Sequence, residues 1–481
     1  MHNFGRIFFL FILGIVWAFN IEWAEERERS PEARPRHPRY RAYFPNYVLP
    51  IFLALLWVMT LAIQGIREEK LLLALCFSVF LHTSIYYVFL SLAMPLLRRH
   101  INSRVCAALW LLPNYLYLLT NQVFMPRVPK LAVYVPETVL RAACLVWLTG
   151  FLTVMVWKIA GHFRFRREIL RPAHPVEDPE VLALWKRELS HAGLARQEYT
   201  LVRSPAVTSP LTIGFWQHTI RVVLPERGYT PEELRLIFRH ELVHIGREDA
   251  VSKFFLAFCA AMCWFNPLMW WAMGKSAEDM ELSCDETVLL DADEGKRREY
   301  AELLLRTAGD GRGFTTCLSA SASSLRYRLR QIMEQGKRFT GSLLAGCILI
   351  ALFLPSGLVT LALDRTTGAE LIFSNEAPSE FEIVDNEVFW HDYSSHHWPT
   401  PAQPEALKAY LAQLEIYEVP DLYDFSDEGR CIDLNLHRGE ENIHLSLSDN
   451  TLLLGGTGKR MKHYFIPEEI DWDYLRGLLY P

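Results

Sequence analysis

Two histidines and a glutamate that could bind and use a metal ion lie within five residues of each other. They form the sequence His240-Glu241-Leu242-Val243-His244. On a helix, the two histidines lie one turn apart on one face, where both imidazoles can reach one ion. The glutamate can then act as general base toward a water molecule on that ion. This HExxH pattern is typical of zinc peptidases but also occurs by chance, so its meaning depends on its surroundings.

The residues before the motif carry the signals that start a helix. Thr230 is a suitable N-cap, Pro231 occupies the first helical position, and Glu233 completes a capping box. Gly246 is expected to end the helix, because glycine readily adopts the left-handed conformation found there. The local sequence therefore predicts one helix that carries both histidines.

A catalytic zinc ion needs a third protein ligand and one open position. Downstream, Glu281 and Asp285 are four residues apart and share a face of a predicted helix. We predict that Glu281 is the third ligand and that Asp285 accepts a hydrogen bond from a ligating histidine. Glu278 is the alternative ligand, and a solvated acidic face is the alternative interpretation. Cys284 is a weaker candidate, which we expect to be a small buried residue.

Three stretches of sequence resemble a known family of membrane peptidases. HELVHIGREDA, the following WFNPLMWW and the later ELSCDETVL resemble the BlaR1/MecR1 metallopeptidases, which are peptidase family M56 of the gluzincin type. Residues 209–214 and 220–225 resemble the strands that precede the zinc helix in that family. The similarity covers residues 48–363.

The resemblance implies specific roles for matched residues. It implies one zinc ion per chain, held by His240, His244 and Glu281, with Glu241 as the catalytic base. Arg247 and Asp249 also match the family pattern, and we expect them to have a structural role. A winged-helix transcriptional repressor is the substrate that the resemblance implies.

Hydrophobic residues make up 51% of the 481 residues and are concentrated in long runs. Six runs approach the ~20 residues that cross a bilayer core of ~30 Å: 4–20, 47–66, 71–97, 105–124, 139–160 and 341–363. The first run lacks a small-residue cleavage site, so we expect a retained span. The predicted fold class is a multi-pass α-helical membrane protein with an α+β gluzincin protease domain and a small outer α+β domain.

Arginine and lysine are distributed unevenly between the loops. The loops after the first, third and fifth runs are rich in them, whereas the loops after the second and fourth are poor. The positive-inside rule then predicts an external N-terminus, a cytosolic protease domain and an extracytoplasmic C-terminal region in the cell membrane. The predicted domains are residues 1–160 with about five spans, 161–340 as protease, 341–363 as last span, and 364–481 as sensor-like domain.

Another apolar run, residues 254–273, is also long enough to cross a bilayer. It lies between His244 and Glu281, which must bind the same ion, so it cannot end on the opposite side. We expect a core helix, a helix in the membrane interface, or a re-entrant segment that returns near Asn266-Pro267. A true crossing would make the assignment of the third ligand wrong.

The acidic C-terminal region predicts a small α+β domain. Alternating and helical patterns predict its elements: strands at 370–373, 381–389, 432–437, 443–447 and 451–454, and a helix at 404–417. Its single cysteine, Cys431, excludes an internal disulfide. No SxxK motif follows Asp364, and the region is too short for the penicillin-binding fold of the best-known family members. We therefore expect an external ligand other than a β-lactam, whose identity stays open.

These features together predict a membrane zinc endopeptidase that transmits an external signal by cutting a cytosolic repressor, itself, or both. Residues 318–328 are the candidate self-cleavage segment, with an ordinary linker as the alternative. Membrane lipid is a further partner, and homodimerisation stays open. The basic residues at 164–171 adjoin a predicted span and are interpreted as topogenic, so no direct nucleic-acid binding is expected.

Two other functions stay open. A quality-control protease of the HtpX/Ste24 kind also has HExxH and a distant glutamate, but it needs no acidic sensor domain. A non-enzymatic receptor would use zinc structurally. Structural zinc sites usually have four protein ligands, whereas three ligands and a base are predicted here.

Overall fold

The structure, a computed structural model, comprises a bundle of apolar helices, an α+β domain and a C-terminal antiparallel sheet. It describes the following residues: 2–29, 40–43, 46–63, 69–119, 131–197, 199–290, 292–307, 316–317, 322–334, 338–354, 359–362, 364–389, 395–398, 401–419, 430–448, 450–456 and 459–479. Much of the arginine-rich segment after the first helix, and residues 318–321 of the candidate self-cleavage segment, lie outside these ranges.

The described residues of the N-terminal part form five α-helices and one short strand, besides a 3₁₀ helix: α1 (His2–Arg29), α2 (Val48–Ile63), α3 (Glu69–His100), α4 (Ser103–Leu111), β1 (Leu131–Tyr134) and α5 (Glu137–Leu170). Among the described residues, three helical segments are long and apolar enough to cross a membrane: Ile7–Arg29, Val79–His100 and Glu137–Leu170. Large apolar side chains on their outer faces are exposed, as lipid contact requires, including Phe19, Leu92 and Leu145. The full count of six spans stays a prediction.

The α+β domain follows α5. Its sheet has the order β2-β3-β5-β4-β6, in which β3 and β5 pair in parallel and the other pairs are antiparallel. The strands are β2 (His174–Pro175), β3 (Thr200–Ser204), β4 (Leu211–Ile213), β5 (Arg221–Pro225) and β6 (Thr316–Cys317). The helices are α6 (Pro179–His191), α7 (Pro231–Arg247), α8 (Asp249–Met262), α9 (Pro267–Val288), α10 (Glu294–Thr307) and α11 (Ala322–Met333).

The apolar run at 254–273 forms a helical hairpin. Helix α8 ends at Met262, and Asn266 caps the start of α9 by accepting a hydrogen bond from the Leu268 N–H at 3.0 Å. The turn lies against the middle of α5, where the Trp264 Nε1–H donates to the Trp147 carbonyl at 3.2 Å. The chain thus reverses near Asn266-Pro267, which was one of the three forms expected from the sequence.

The hairpin runs alongside a helix that can span a membrane. Asn266 at its turn donates to Ser84 Oγ of α3 at 2.9 Å, and Asp279 of α9 pairs with Arg98 of α3 at 2.8 Å. The stretch of α9 between these contacts is ~20 Å long at 1.5 Å per residue, about two thirds of a bilayer core. The hairpin therefore has the length of a re-entrant element.

The described part of the predicted span at 105–124 is not one continuous α-helix. Helix α4 changes at Pro113 into a 3₁₀ helix, Leu112–Leu119, because proline cannot continue the α-helical hydrogen bonds. All residues of α4 are buried. It packs on α9, where Ser276 Oγ donates to the Ala107 carbonyl at 2.9 Å. This segment is thus an internal helix of the bundle.

The last apolar helix, α12 (Ser342–Phe353), leads into the C-terminal domain and packs on α1. The two helices meet where Gly14 and Gly346 face each other. A Cβ atom at Gly346 would lie 2.8 Å from the Gly14 carbonyl oxygen. The close approach of these two backbones therefore requires glycine.

The C-terminal domain has an eight-stranded antiparallel sheet in the order β10-β9-β12-β13-β14-β15-β11-β8. A further strand, β7 (Val359–Ala362), pairs in parallel with β1. The remaining strands are β8 (Asp364–Thr367), β9 (Glu382–Phe389), β10 (Ser395–Trp398), β11 (Glu415–Glu418), β12 (Cys431–Arg438), β13 (Glu441–Ser448), β14 (Thr451–Gly456) and β15 (Lys459–Phe465). The helices are α13 (Gly368–Leu371), α14 (Pro404–Gln413) and α15 (Trp472–Leu479).

Most elements predicted for this domain are confirmed. Strands β9, β12, β13 and β14 occupy the predicted positions, and the Cys431 thiol is buried. The predicted helix at 404–417 is too long, because β11 begins at Glu415. The strand predicted at 370–373 is wrong. Thr367 caps α13 there by accepting a hydrogen bond from the Glu370 N–H, so the chain turns into a helix.

The glycine contact between α1 and α12 makes a testable prediction. We expect Gly346→Ala to destabilise the protein by about 1–3 kcal/mol, because the added methyl group overpacks the helix interface. Gly161→Ala on α5 is the matched control, since a Cβ there meets nothing within 4 Å. Unfolding of both variants in detergent micelles measures the difference, and equal stability would contradict this packing.

Candidate metal centre

Helix α7 carries the HExxH motif. The helix starts where the sequence predicts but ends later than predicted. Thr230 and Glu233 form the capping box, with hydrogen bonds of 3.2 and 2.9 Å. The helix continues to Arg247 and ends at Glu248 in the left-handed conformation, so the predicted end at Gly246 is wrong. Gly246 has another reason to be small: a Cβ atom there would lie 2.7 Å from the Tyr40 Cβ.

The structure brings the three predicted metal ligands together. The Nε2 atoms of His240 and His244 are 3.0 Å apart, and Glu281 Oε2 lies 3.7 and 3.6 Å from them. Two ligands of a tetrahedral zinc ion at 2.0–2.1 Å lie about 3.4 Å apart. Glu278, the alternative ligand, instead pairs with Lys275 at 2.6 Å. The spacing of the first three donors therefore fits one ion.

The chemistry of these donors also fits zinc. All three side chains are buried, and Glu281 Oε2 makes no hydrogen bond with any described residue although it faces two imidazole nitrogens. Such an atom is costly to bury without a partner. Two imidazoles and one carboxylate are a ligand set that zinc adopts in catalytic sites.

Glu241 is buried beside these ligands and contacts the sheet. Thr212 Oγ1 on β4 donates a hydrogen bond of 2.6 Å to Glu241 Oε2. This contact orients the carboxylate and links it to the strand. No sequence pattern indicates a role for Thr212, because that role depends on β4 lying against α7.

His244 is held by the residue that begins the next helix. Its Nδ1 atom lies 2.6 Å from Asp249 Oδ2, and Cys284 Sγ lies 3.4 Å from the same nitrogen. The left-handed turn at Glu248 brings Asp249 back over α7. Asp249, expected to be structural, thus contacts the imidazole of a predicted ligand. Cys284 is buried, as expected, but on the Asp249 side of His244.

His240 is held through a tyrosine. Tyr300 on α10 has its hydroxyl 2.9 Å from His240 Nδ1 and donates to Asp285 Oδ1 at 2.7 Å. Asp285 Oδ1 itself lies 3.5 Å from His240 Nδ1. Asp285, predicted as a direct acceptor, therefore acts mainly through Tyr300. The sequence reasoning missed Tyr300 and also Arg328, which pairs with Asp285.

The charges around the ligands shift their pKa values in different directions. Burial lowers the pKa of His240. Burial also opposes the charged form of His244, but Cys284, Glu281 and Asp249 outweigh it and raise the pKa well above its usual range. Burial alone would raise the pKa of Glu281. The opposite charge of Lys253, whose Nζ lies 2.7 Å away, and of His244 instead lowers it well below its usual range.

Comparison with known proteins shows the family to which the chain belongs. The family model described as BlaR1 peptidase M56 matches residues 50–332, so the chain belongs to this family of metallopeptidases. The family resemblance found in the sequence is thereby confirmed. The chain is also similar to "Regulatory protein BlaR1" of Bacillus licheniformis, with 27% identity over 186 residues. That match covers 38% of this chain and 30% of the relative, so it spans less than a third of the relative's length.

The third ligand can be tested by its loss. We expect Glu281→Gln to reduce zinc affinity strongly, because an amide replaces the anionic oxygen that faces both imidazoles. Glu278→Gln, three residues away on the same helix, should leave it unchanged. Zinc content after dialysis against a chelator compares the variants. Equal retention of zinc by both would contradict the assignment of Glu281.

The raised pKa of His244 predicts that zinc binding depends on pH. The raised pKa favours the protonated form of His244 in the metal-free protein, and zinc must displace that proton. We expect about one proton released per zinc at pH 7 and an affinity that rises about tenfold per pH unit below the His244 pKa. Calorimetry in two buffers of different ionisation enthalpy measures this release. A pH-independent affinity would contradict it.

Proposed function

We propose that this protein is a membrane zinc endopeptidase that transmits an external signal by cutting a cytosolic protein, itself, or both. One observation supports it most: His240, His244 and Glu281 converge around one point, and Glu241 lies beside them with its carboxylate held by Thr212. Three protein ligands leave one position for water, as in catalytic zinc sites.

Each residue of the site has a separate role in the proposed peptide hydrolysis. His240, His244 and Glu281 would hold the zinc ion, which would supply Lewis acidity to water and to the substrate carbonyl. Glu241 takes the proton of the attacking water and delivers it to the leaving amine nitrogen. Thr212 fixes the orientation of that carboxylate, and Lys253 holds the second oxygen of Glu281.

Strand β4 suggests how a peptide would reach this site. It carries Thr212 against Glu241, and its outer edge pairs with β6, where Thr212 lies opposite Thr316. An extended peptide added to this edge would pass the catalytic base. In the structure, the chain's own segment takes this position, which supports self-cleavage near it.

The same geometry narrows the candidate self-cleavage segment. Of residues 318–328, the part from Ala322 onward belongs to helix α11. Arg328, the last residue of the segment, is buried. A peptidase needs an extended substrate, so a helical stretch is a poor one. We therefore favour a cut before Ala322.

The connections of the C-terminal domain support a sensor role. Strand β7 joins α12 to the domain and pairs with β1, which leads into α5. Tyr134 of β1 stacks on Tyr417 of the C-terminal sheet, with ring centroids 6.2 Å apart. The similarity to a protein named as a regulatory protein supports a role in regulation. We propose that the domain lies outside the cell, the protease domain inside, and that a repressor is the substrate.

Two alternatives make different demands on the molecule. A quality-control protease would share the site but would not need its activity to depend on the C-terminal domain. A receptor with structural zinc would need no base, yet Glu241 is buried beside the ligands and held by Thr212.

The proposed activity can be separated from metal binding. We expect Glu241→Gln to lower cleavage by about 10²–10⁴-fold, because the amide cannot accept the proton of water. Zinc content should stay at one ion per chain. Glu232→Gln, on the exposed first turn of the same helix, is the matched control. Self-cleavage fragments and casein hydrolysis report activity, and full cleavage by Glu241→Gln would sink the proposal.

A further inference from the structure

Arg328 on α11 is buried near the metal centre. It is fully buried, although an arginine is costly to bury unless its charge is paired. It donates from Nε to Asp285 Oδ2 at 2.7 Å and from Nη2 to Asp285 Oδ1 at 2.6 Å. This two-point contact holds the carboxylate in one orientation, as a lysine could not.

The carboxylate held by Arg328 also holds a tyrosine. Asp285 Oδ1 accepts the hydroxyl proton of Tyr300 at 2.7 Å, so the oxygen of that hydroxyl is left to accept a hydrogen bond. His240 Nδ1 lies 2.9 Å from it. The Nδ1–H of His240 therefore donates to Tyr300, and the lone pair on Nε2 faces the metal position.

The direct contact of Arg328 with a predicted ligand, Glu281, is weaker than its contact with Asp285. Its Nη1 atom lies 3.6 Å from Glu281 Oε2, beyond hydrogen-bond distance. Arg328 thus adds positive charge near this ligand but does not fix its position. The bonded path to a ligand runs through Asp285 and Tyr300 to His240.

The chain continues from α11 into the apolar helix α12. Beyond α11, the Phe339 N–H donates to the His100 carbonyl at 2.9 Å, and Arg338 pairs with Glu286 on α9. Helix α12 begins directly after this contact. Arg328 is therefore connected to the helix that leads to the C-terminal domain.

We propose that Arg328 is a positioning residue that acts through Asp285 and Tyr300 to fix the tautomer and orientation of His240, and so sets the affinity of the metal site. This inference rests on the proposed function, because it takes His240 as a ligand. It adds Arg328, which lies on α11 after the favoured cut before Ala322, to the metal site.

The test measures zinc affinity in the full chain in detergent, by competition with a chelator. All variants carry Glu241→Gln, so self-cleavage cannot change the sample. We expect Arg328→Met to weaken zinc binding by about 10–100-fold, as loss of a group that orients a ligand does. Arg328→Lys should recover only part of this, because it restores the charge but not the two-point contact. Arg330→Met, exposed on the same helix, should change nothing.

A double-variant cycle tests the path. If Arg328 acts through Tyr300, Arg328→Met should weaken binding much less in a Tyr300→Phe background than in its absence. The visible spectrum of the cobalt-substituted protein should shift in both single variants. Additive effects on affinity would overturn the path through Tyr300.

The two proposals fail in different ways. Unchanged zinc affinity in folded Arg328→Met overturns this inference, and if that variant does not fold, unchanged affinity in Tyr300→Phe does so. Absence of zinc binding by the parent chain would overturn the proposed function itself.

Discussion

The structure depends on one constraint: the proposed ligands for a single ion come from both sides of an apolar run that is long enough to cross a bilayer. His240 and His244 precede residues 254–273, and Glu281 follows them. The run must therefore return, and it does so as the hairpin of α8 and α9. The metal centre thereby lies at the base of an element that extends ~20 Å alongside α3.

Buried ion pairs then connect the hairpin and the HExxH helix to the apolar bundle. Glu28 near the end of α1 accepts from Arg247 at 2.5 Å, and Arg247 also donates to Ser283 of α9 at 2.9 Å. Arg98 of α3 holds Asp279 in the same way. Removing one partner of such a pair leaves a buried charge, which costs far more than an exposed pair.

These pairs suggest how a distant signal would reach the metal centre. Helix α12 packs on α1 through the contact of Gly14 with Gly346, and α1 ends at the Glu28–Arg247 pair. A second connection runs from α12 to α11 and Arg328. Both end on the helices that carry the ligands, so a displacement of α12 would act on ligand geometry from two sides.

Local patterns in the sequence predicted the helix starts, helix faces and strands that depend on residues close together in the chain. The capping box at Thr230 and Glu233 fixed the start of α7, and the spacing of the histidines fixed their common face. Glu281 followed from its helical spacing to Asp285 and from the family resemblance. Strands β12 and β13 followed from alternation, because one face of that sheet packs against helices.

Contacts between distant segments could not be predicted. Thr212, Tyr300 and Arg328 reach the site from a strand and two helices that are far apart in sequence. The prediction of a strand at 370–373 is wrong because Thr367 caps a helix there, although the residues that follow are an apolar run. Helix α7 ends at Glu248 rather than at Gly246, whose lack of a side chain is required instead by its close contact with Tyr40.

The most direct test of the account is the X-ray absorption spectrum of the zinc-loaded protein. The account predicts two imidazole nitrogens and carboxylate or water oxygens, with all ligand distances about 2.0–2.2 Å. Cys284 lies on the other side of His244 and should be absent from the coordination sphere. A zinc–sulfur distance of about 2.3 Å would contradict the central claim that His240, His244 and Glu281 form the metal site.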